Sequence, residues 1–207
     1  MNHTQIINAL IKKFRYNSYL EIGVRNPNEN FNLIDIEHKE SCDIEDPYNM
    51  ITYHMTSDEM FNTIDASKKY DIIFIDGMHD ESYVDRDIHN SISHLNENGA
   101  ICIHDVIPRN KQMTSKKEKY DDRCAWTGDV YKAVAKLYGS GIDYMTINNN
   151  DYGLCIIYGN KQYNDIEKQC EYTYEDLFGD NPNSCVLTPL GRRVLNVIED
   201  INNEYFK

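Results

Sequence analysis

The chain has 207 residues, 41% hydrophobic and 27% charged, and a formal net charge of -13 at pH 7. That length makes one ordinary domain, able to bury roughly two-thirds to three-quarters of its unfolded surface without a disulfide or metal staple. So negative a charge excludes nucleic acid as the main partner, because phosphate binding needs clustered positive charge. No apolar run approaches the ~20 residues of a membrane span. The start, MNHTQIINALIKKF, lacks the plan of a signal peptide, so the expectation is a cytoplasmic protein. Cys42, Cys102, Cys124, Cys155, Cys170 and Cys185 are scattered with no C-x-x-C pair and no zinc spacing, which reads as reduced thiols.

In chain order, Ile6, Ile7, Leu10, Ile11 and Phe14 form one face of a first helix. Strand-like runs follow at Tyr19–Val24, Ser41–Glu45, Tyr70–Asp76, Ala100–His104, Ile142–Ile147 and Tyr152–Tyr158. Three of them, YLEIGV, YDIIFID and AICIH, are nearly continuously apolar, as strands are when helices cover both faces of a parallel sheet. Ser57, with Glu59 behind it, reads as the cap of a helix reaching Ser67. Tyr83, Val84, Ile88, Ile92 and Leu95 make Asp80–Leu95 an amphipathic helix, stopped by Asn98-Gly99. Asp129 reads as the cap of a helix through Leu137. Thr188-Pro189 opens a last one, whose apolar face is Val194, Leu195, Val197, Ile198 and Ile201. This alternation predicts a doubly wound, Rossmann-like α/β sheet. Only Asn148–Asp151 joins the last two strands, which is too short for a helical crossover and predicts an antiparallel hairpin. Val106–Thr127 reads as a long polar loop, and Gly159–Leu187 as an acidic, tyrosine-rich segment with little periodicity.

Ligands of such sheets sit beyond the carboxyl ends of the strands, so the polar residues there carry the chemistry. The first strand delivers Glu21 and Gly23. With one glycine in place of G-x-G-x-x-G, a dinucleotide cradle is poorly supported, and the following asparagines are candidates for the left-handed turn. Asp43 ends the second strand, where an acid takes ribose hydroxyls or simply meets solvent. At Met55–Asp58 a helix cap and an adenine contact are both open. Asp76, His79 and Asp105 form the most specific cluster: two carboxylates suit a hard divalent ion, and the imidazole beside them suits a general base.

The strings YLEIGVRNPNENF, MTSDEMF, YDIIFIDGMHDESYVDRDI, LNENGAICIHDVIP, WTGDVYKAVAKL and DYGLCIIY resemble class I S-adenosylmethionine-dependent methyltransferases. Within that class they look like the branch of small-molecule and sugar O-methyltransferases that includes macrolide-sugar enzymes. The resemblance spans Tyr19 to Tyr158. It implies a seven-stranded sheet with an antiparallel last strand, over a domain of residues 1–160, with 161–207 an acidic segment and helix packed on it. It also implies S-adenosylmethionine bound by Glu21, Gly23, Asp43, Ser57, Asp58 and Asp76. Catalysis falls to His79 with Asp76, and a magnesium ion to Asp76 and Asp105. His104 stands where a carboxylate often supplies a further metal ligand, and Asp129 is open between supplying that oxygen and capping a helix. The implied partner is a small-molecule acceptor, a sugar or nucleotide-sugar; a homo-oligomer is left open.

Arg109, Lys111, Trp126 and Asp129 are the candidate acceptor contacts. The loop from Arg109 to Arg123 gathers Arg109, Lys111, Lys116, Lys117, Lys119 and Arg123 in an otherwise acidic chain, which reads either as a solvated loop or as a lid attracting a phosphorylated acceptor. Two other readings stand beside methyl transfer. One is a nicotinamide-dependent oxidoreductase on a similar sheet. The other is a non-catalytic module that binds S-adenosylmethionine.

Overall fold

A computed structural model of the chain describes residues 1–116, 125–161 and 170–199. Helix α1 (His3–Phe14) starts in a reciprocal capping box between Asn2 and Gln5. It buries Ile6, Ile7, Leu10 and Ile11, and leaves Phe14 exposed. There follow β1 (Ser18–Ile22), β2 (His38–Asp43), the two-residue β3 (Tyr53–His54), α2 (Ser57–Thr63), β4 (Tyr70–Ile75), α3 (Glu81–Ser93) and β5 (Leu95–His104). The second half holds α4 (Val130–Ala135), β6 (Asp143–Asn148), β7 (Leu154–Tyr158), α5 (Tyr174–Phe178), α6 (Pro189–Val194) and β8 (Val197–Glu199). The strands make one sheet in the order β3-β2-β1-β4-β5-β7-β6-β8. All neighbours are parallel except β7, which runs antiparallel to both β5 and β6.

The apolar runs of β1, β4 and β5 divide with the period of two that a pleated strand imposes. Leu20, Ile73, Ile75, Ile101 and Ile103 face one layer, where Val84, Ile88 and Ile92 of α3 and Val130 and Val134 of α4 complete the core. Tyr19, Ile72, Phe74, Ala100 and Cys102 face the other, against Ile6, Ile7, Leu10 and Ile11 of α1. Tyr174, Leu177 and Phe178 of α5, with Val194 and Leu195, extend the first layer. Cys42, Cys102 and Cys155 are buried free thiols within strands; Cys124 lies outside the described residues.

Four local expectations are corrected. The apolar face expected to run through Ile198 breaks after Val194: Asn196 takes φ 48°, and Val197–Glu199 leaves as an eighth strand, paired in register with Thr146–Asn148. Ile201 lies outside the described residues. Asn98-Gly99 is no helix stop but part of β5, at a register shift opposite Asp71, whose carbonyl would stand 2.7 Å from a Cβ on Gly99. The cap of α2 is Thr56, one residue before Ser57, in a capping box with Glu59. Finally, the acidic segment is not wholly irregular: Thr173 and Asp176 form a capping box that starts α5.

Candidate active site

The chain runs outward from β1 to β2 and β3, then returns to β4 on the other side of β1, so the sheet's switch point lies between β1 and β4. A cleft of about 790 Å³ opens there, beyond the strand ends. Gly23 follows β1 at φ 85°, and a Cβ on it would stand 2.3 Å from the Asp76 carbonyl oxygen, so only glycine lets the two strand ends meet. The left-handed turn expected of the asparagines falls instead on Arg25, φ 47°. The Arg25 amide donates to Asp43 at 2.7 Å, and the Glu45 amide donates to the other oxygen of Asp43 at 2.9 Å.

Glu21 is buried beneath this loop, and Asn30 Nδ2 donates to it at 2.8 Å. Tyr19 also donates to Glu21, and Thr4 donates to Asn30 at 2.8 Å. Burial outweighs these bonds and pushes the Glu21 carboxyl up to about 8. At the far wall stand Met55, Thr56, Ser57 and Asp87. Asp87 is buried on α3, and its carboxyl is pushed up to about 7 by that burial, against a hydrogen bond from Ser57.

The floor is a chain of alternating imidazoles and carboxylates. His79 Nδ1 donates to the Trp126 carbonyl at 2.8 Å, and its Nε2 lies 3.3 Å from Asp76 Oδ1. His104 Nδ1 donates to the same Asp76 oxygen at 3.2 Å, and its Nε2 to the Asp151 carbonyl at 2.9 Å. Asp105 Oδ2 lies 3.3 Å from His79 Nδ1. Asp105 itself takes φ 60°, an uncommon backbone for a residue with a side chain. Burial alone would discharge both histidines, but Asp76 and Asp105 outweigh it and hold the His79 pKa above its ordinary value. For His104 burial is likewise outweighed, by Asp76 and Asp151. Asp76, between two imidazoles, is held well below the usual carboxylate range despite its burial, whereas burial lifts Asp105 to about 6.

The structure thus gathers Glu21, Gly23, Asp43, Ser57, Asp76, His79, His104, Asp105 and Trp126 around one cleft. It does not bring the other expected residues there. Asp58 pairs with Arg86 at 3.3 Å. Arg109 donates to the Asn150 carbonyl and covers the Tyr152 ring, and Lys111 pairs with Glu175. Asp129 accepts from the Glu81 amide at 2.7 Å, at the start of α3, and makes no side-chain cap for its own helix α4. Lys117, Lys119 and Arg123 lie outside the described residues. Asn30, Asp87, His3 and Asp151 reach the cleft with no motif to announce them.

Residues 26–106 match the family model of a methyltransferase domain. No curated protein matches the chain in sequence. Among solved structures, the fold is similar to that of an O-methyltransferase from Bacillus cereus in complex with SAH, at TM-score 0.58 and 10% identity, over 76% of this chain and 82% of that one. It is similar too to the O-methyltransferase TomG from Streptomyces achromogenes, involved in tomaymycin synthesis and solved with SAM: TM-score 0.54, 12% identity, 75% of this chain and 78% of that one. Residues 26–106 thus resemble a methyltransferase domain, and the fold is similar to that of solved O-methyltransferases. No helix among the described residues is long and apolar enough to cross a membrane.

Proposed function

We propose that the protein transfers a methyl group from S-adenosylmethionine to a hydroxyl oxygen of a small neutral acceptor of the sugar class. The observation that carries this reading is His79: with Nδ1 fixed on the Trp126 carbonyl, Nε2 is the atom that gains and loses a proton at the cleft wall. S-adenosylmethionine supplies an electrophilic methyl carbon when bound. Gly23 lets the backbone approach it closely. Asp43 keeps lone pairs free for ribose hydroxyls after accepting two backbone amides. Ser57 and Asp87 line the wall where an adenine edge would lie. His79, in its neutral form, takes the acceptor's hydroxyl proton on Nε2, and Asp76 stabilises the imidazolium that results.

The sugar class is supported by the lining: Trp126 and Tyr152 border the same cleft as several carboxylates, apolar and hydrogen-bonding groups of the kind a sugar takes. A phosphorylated acceptor has less support, because Arg109 and Lys111 are engaged away from the cleft. The donors around Asp76 bear on magnesium. Mg²⁺ takes oxygen ligands. Here Asp76 Oδ1 already faces two imidazole nitrogens, and His104 occupies the place of the further oxygen. These residues do not fit Mg²⁺.

Incubation with S-adenosylmethionine and a panel of glycosides and nucleotide-sugars tests the proposal by mass spectrometry. A neutral glycoside should gain the mass of one CH₂ while S-adenosylhomocysteine accumulates in step. Methylation confined to nitrogen or carbon acceptors, or only to nucleotide-linked sugars, would count against it.

A further inference from the structure

Beneath the cleft, His3 of α1, His104 at the end of β5 and Asp151 of the β6–β7 hairpin converge with their ligand atoms within 4.8 Å of one another. His3 Nδ1 stands 2.5 Å from Asp151 Oδ2, and His104 Nε2 stands 3.6 Å from the same oxygen. The backbone carbonyl of Asp151 adds a fourth donor, 2.9 Å from His104 Nε2. Two imidazole nitrogens meet on one carboxylate oxygen, which accepts either their own N–H groups or a shared metal ion. The two rings lie with centroids 4.4 Å apart, so one divalent ion can take a nitrogen from each together with the carboxylate.

The surroundings are those of a ligating set. Asp76 accepts from His104 Nδ1 at 3.2 Å, so loss of the Nε2 proton, which is donated to the Asp151 carbonyl, would leave a lone pair aimed at Asp151. A carboxylate behind a histidine does this in metal sites generally, orienting the ring and raising its basicity. The His3 ring is held in plane by stacking on Phe74, with centroids 5.4 Å apart and the planes 17° from parallel. The Asp151 loop is over-determined: Asn149 Oδ1 accepts from both the Asp151 and Gly153 amides, and Tyr152 is forced to φ 59°. All three side chains line the open cleft, so a water or ligand can reach a further coordination position.

We propose that His3, His104 and Asp151 bind one divalent transition-metal ion of the zinc class. Two imidazoles and one carboxylate are borderline donors, suited to Zn²⁺ or Co²⁺ and ill suited to Mg²⁺. The site uses a different set of ligand atoms from the Asp76–His79–Asp105 group and adjoins it where His104 Nδ1 meets Asp76 at 3.2 Å and Asp105 at 3.7 Å. It does not depend on what the enzyme methylates.

The test uses untagged full-length protein, metal-stripped and titrated calorimetrically with Zn²⁺ alone. One equivalent should bind to the wild type. His3→Gln and Asp151→Asn should each weaken that equivalent at least tenfold, while Asp58→Asn, which pairs with Arg86 outside the cleft, leaves it intact. Thermal melts confirm that the variants fold. X-ray absorption of the zinc-loaded wild type supplies a readout that needs no variant, and should show two imidazoles at about 2.0–2.1 Å. No binding to the wild type, affinity unchanged in both His3→Gln and Asp151→Asn, or a shell without two imidazoles would overturn the proposal.

Discussion

A Cβ on Gly23 would stand 2.3 Å from the carbonyl oxygen of Asp76, so the loop after β1 and the end of β4 that leads to Asp76 and His79 are locked against each other. Gly23 also holds φ 85°, a conformation that costs an L-residue roughly 1–2 kcal/mol before any clash. Gly23→Ala should therefore destabilise the fold by more than about 2 kcal/mol, lowering Tm by roughly 4–8 °C in a chain of this size. The clash displaces both sides of the cleft, so affinity for S-adenosylmethionine should fall as well. A melt and a titration unchanged from wild type would show that the two strand ends can separate freely.

His79 should be needed for turnover and not for cofactor binding. His79→Ala should cut kcat about a hundredfold to ten-thousandfold and leave the S-adenosylmethionine Kd nearly unchanged. The wild-type rate has a direction in pH as well. Asp76 and Asp105 hold the His79 pKa above its ordinary ~6.5, so the neutral, proton-accepting form grows only as pH climbs past that value. The rate should rise with pH on a limb centred above the ordinary imidazole range. A limb centred below it, or one that survives His79→Ala, would assign the base elsewhere.

Asp87 gives a stability prediction of definite sign. Burial holds its carboxyl at about 7 in the folded state, whereas an unfolded aspartate titrates near ~3.9. The folded protein therefore binds this proton more tightly. The stability it contributes is complete below ~3.9 and is lost as pH rises through about 7. Glu21, at about 8, acts in the same direction. Asp87→Asn should flatten the fall in Tm between about pH 5 and about pH 8. Identical slopes in variant and wild type would mean that Asp87 is ionised in the fold.

What was legible in the sequence follows from what leaves a local signal. The continuous apolar runs of β1, β4 and β5 announced a sheet covered on both faces, and the short Asn148–Asp151 loop announced the antiparallel β7. Glu21, Gly23, Asp43, Asp76, His79 and Asp105 could be read because each stands at or just past a strand end. Asn30 could not: it reaches Glu21 from a turn nine residues on, with no periodicity to mark it. Asp87 sits on an amphipathic helix, where a carboxylate reads as the solvent face. His3 and Asp151 meet across 148 residues, a distance that no spacing rule spans. β8 was misread because Val-Ile-Glu continues a helical apolar stripe as well as it makes a strand. Arg109 and Lys111 were grouped by charge alone, and folding gave each a private partner in Tyr152 and Glu175.

Isothermal titration of wild type and Asp43→Asn measures directly whether S-adenosylmethionine lies in the cleft at the β1 and β2 ends. Wild type should bind S-adenosylmethionine one to one and show no comparable affinity for NAD⁺. Asp43→Asn, which still offers one oxygen to the backbone, should bind about 1–3 kcal/mol more weakly, a rise in Kd of about fivefold to roughly 150-fold. Equal binding by both proteins, or a wild type that takes NAD⁺ and ignores S-adenosylmethionine, would contradict the account.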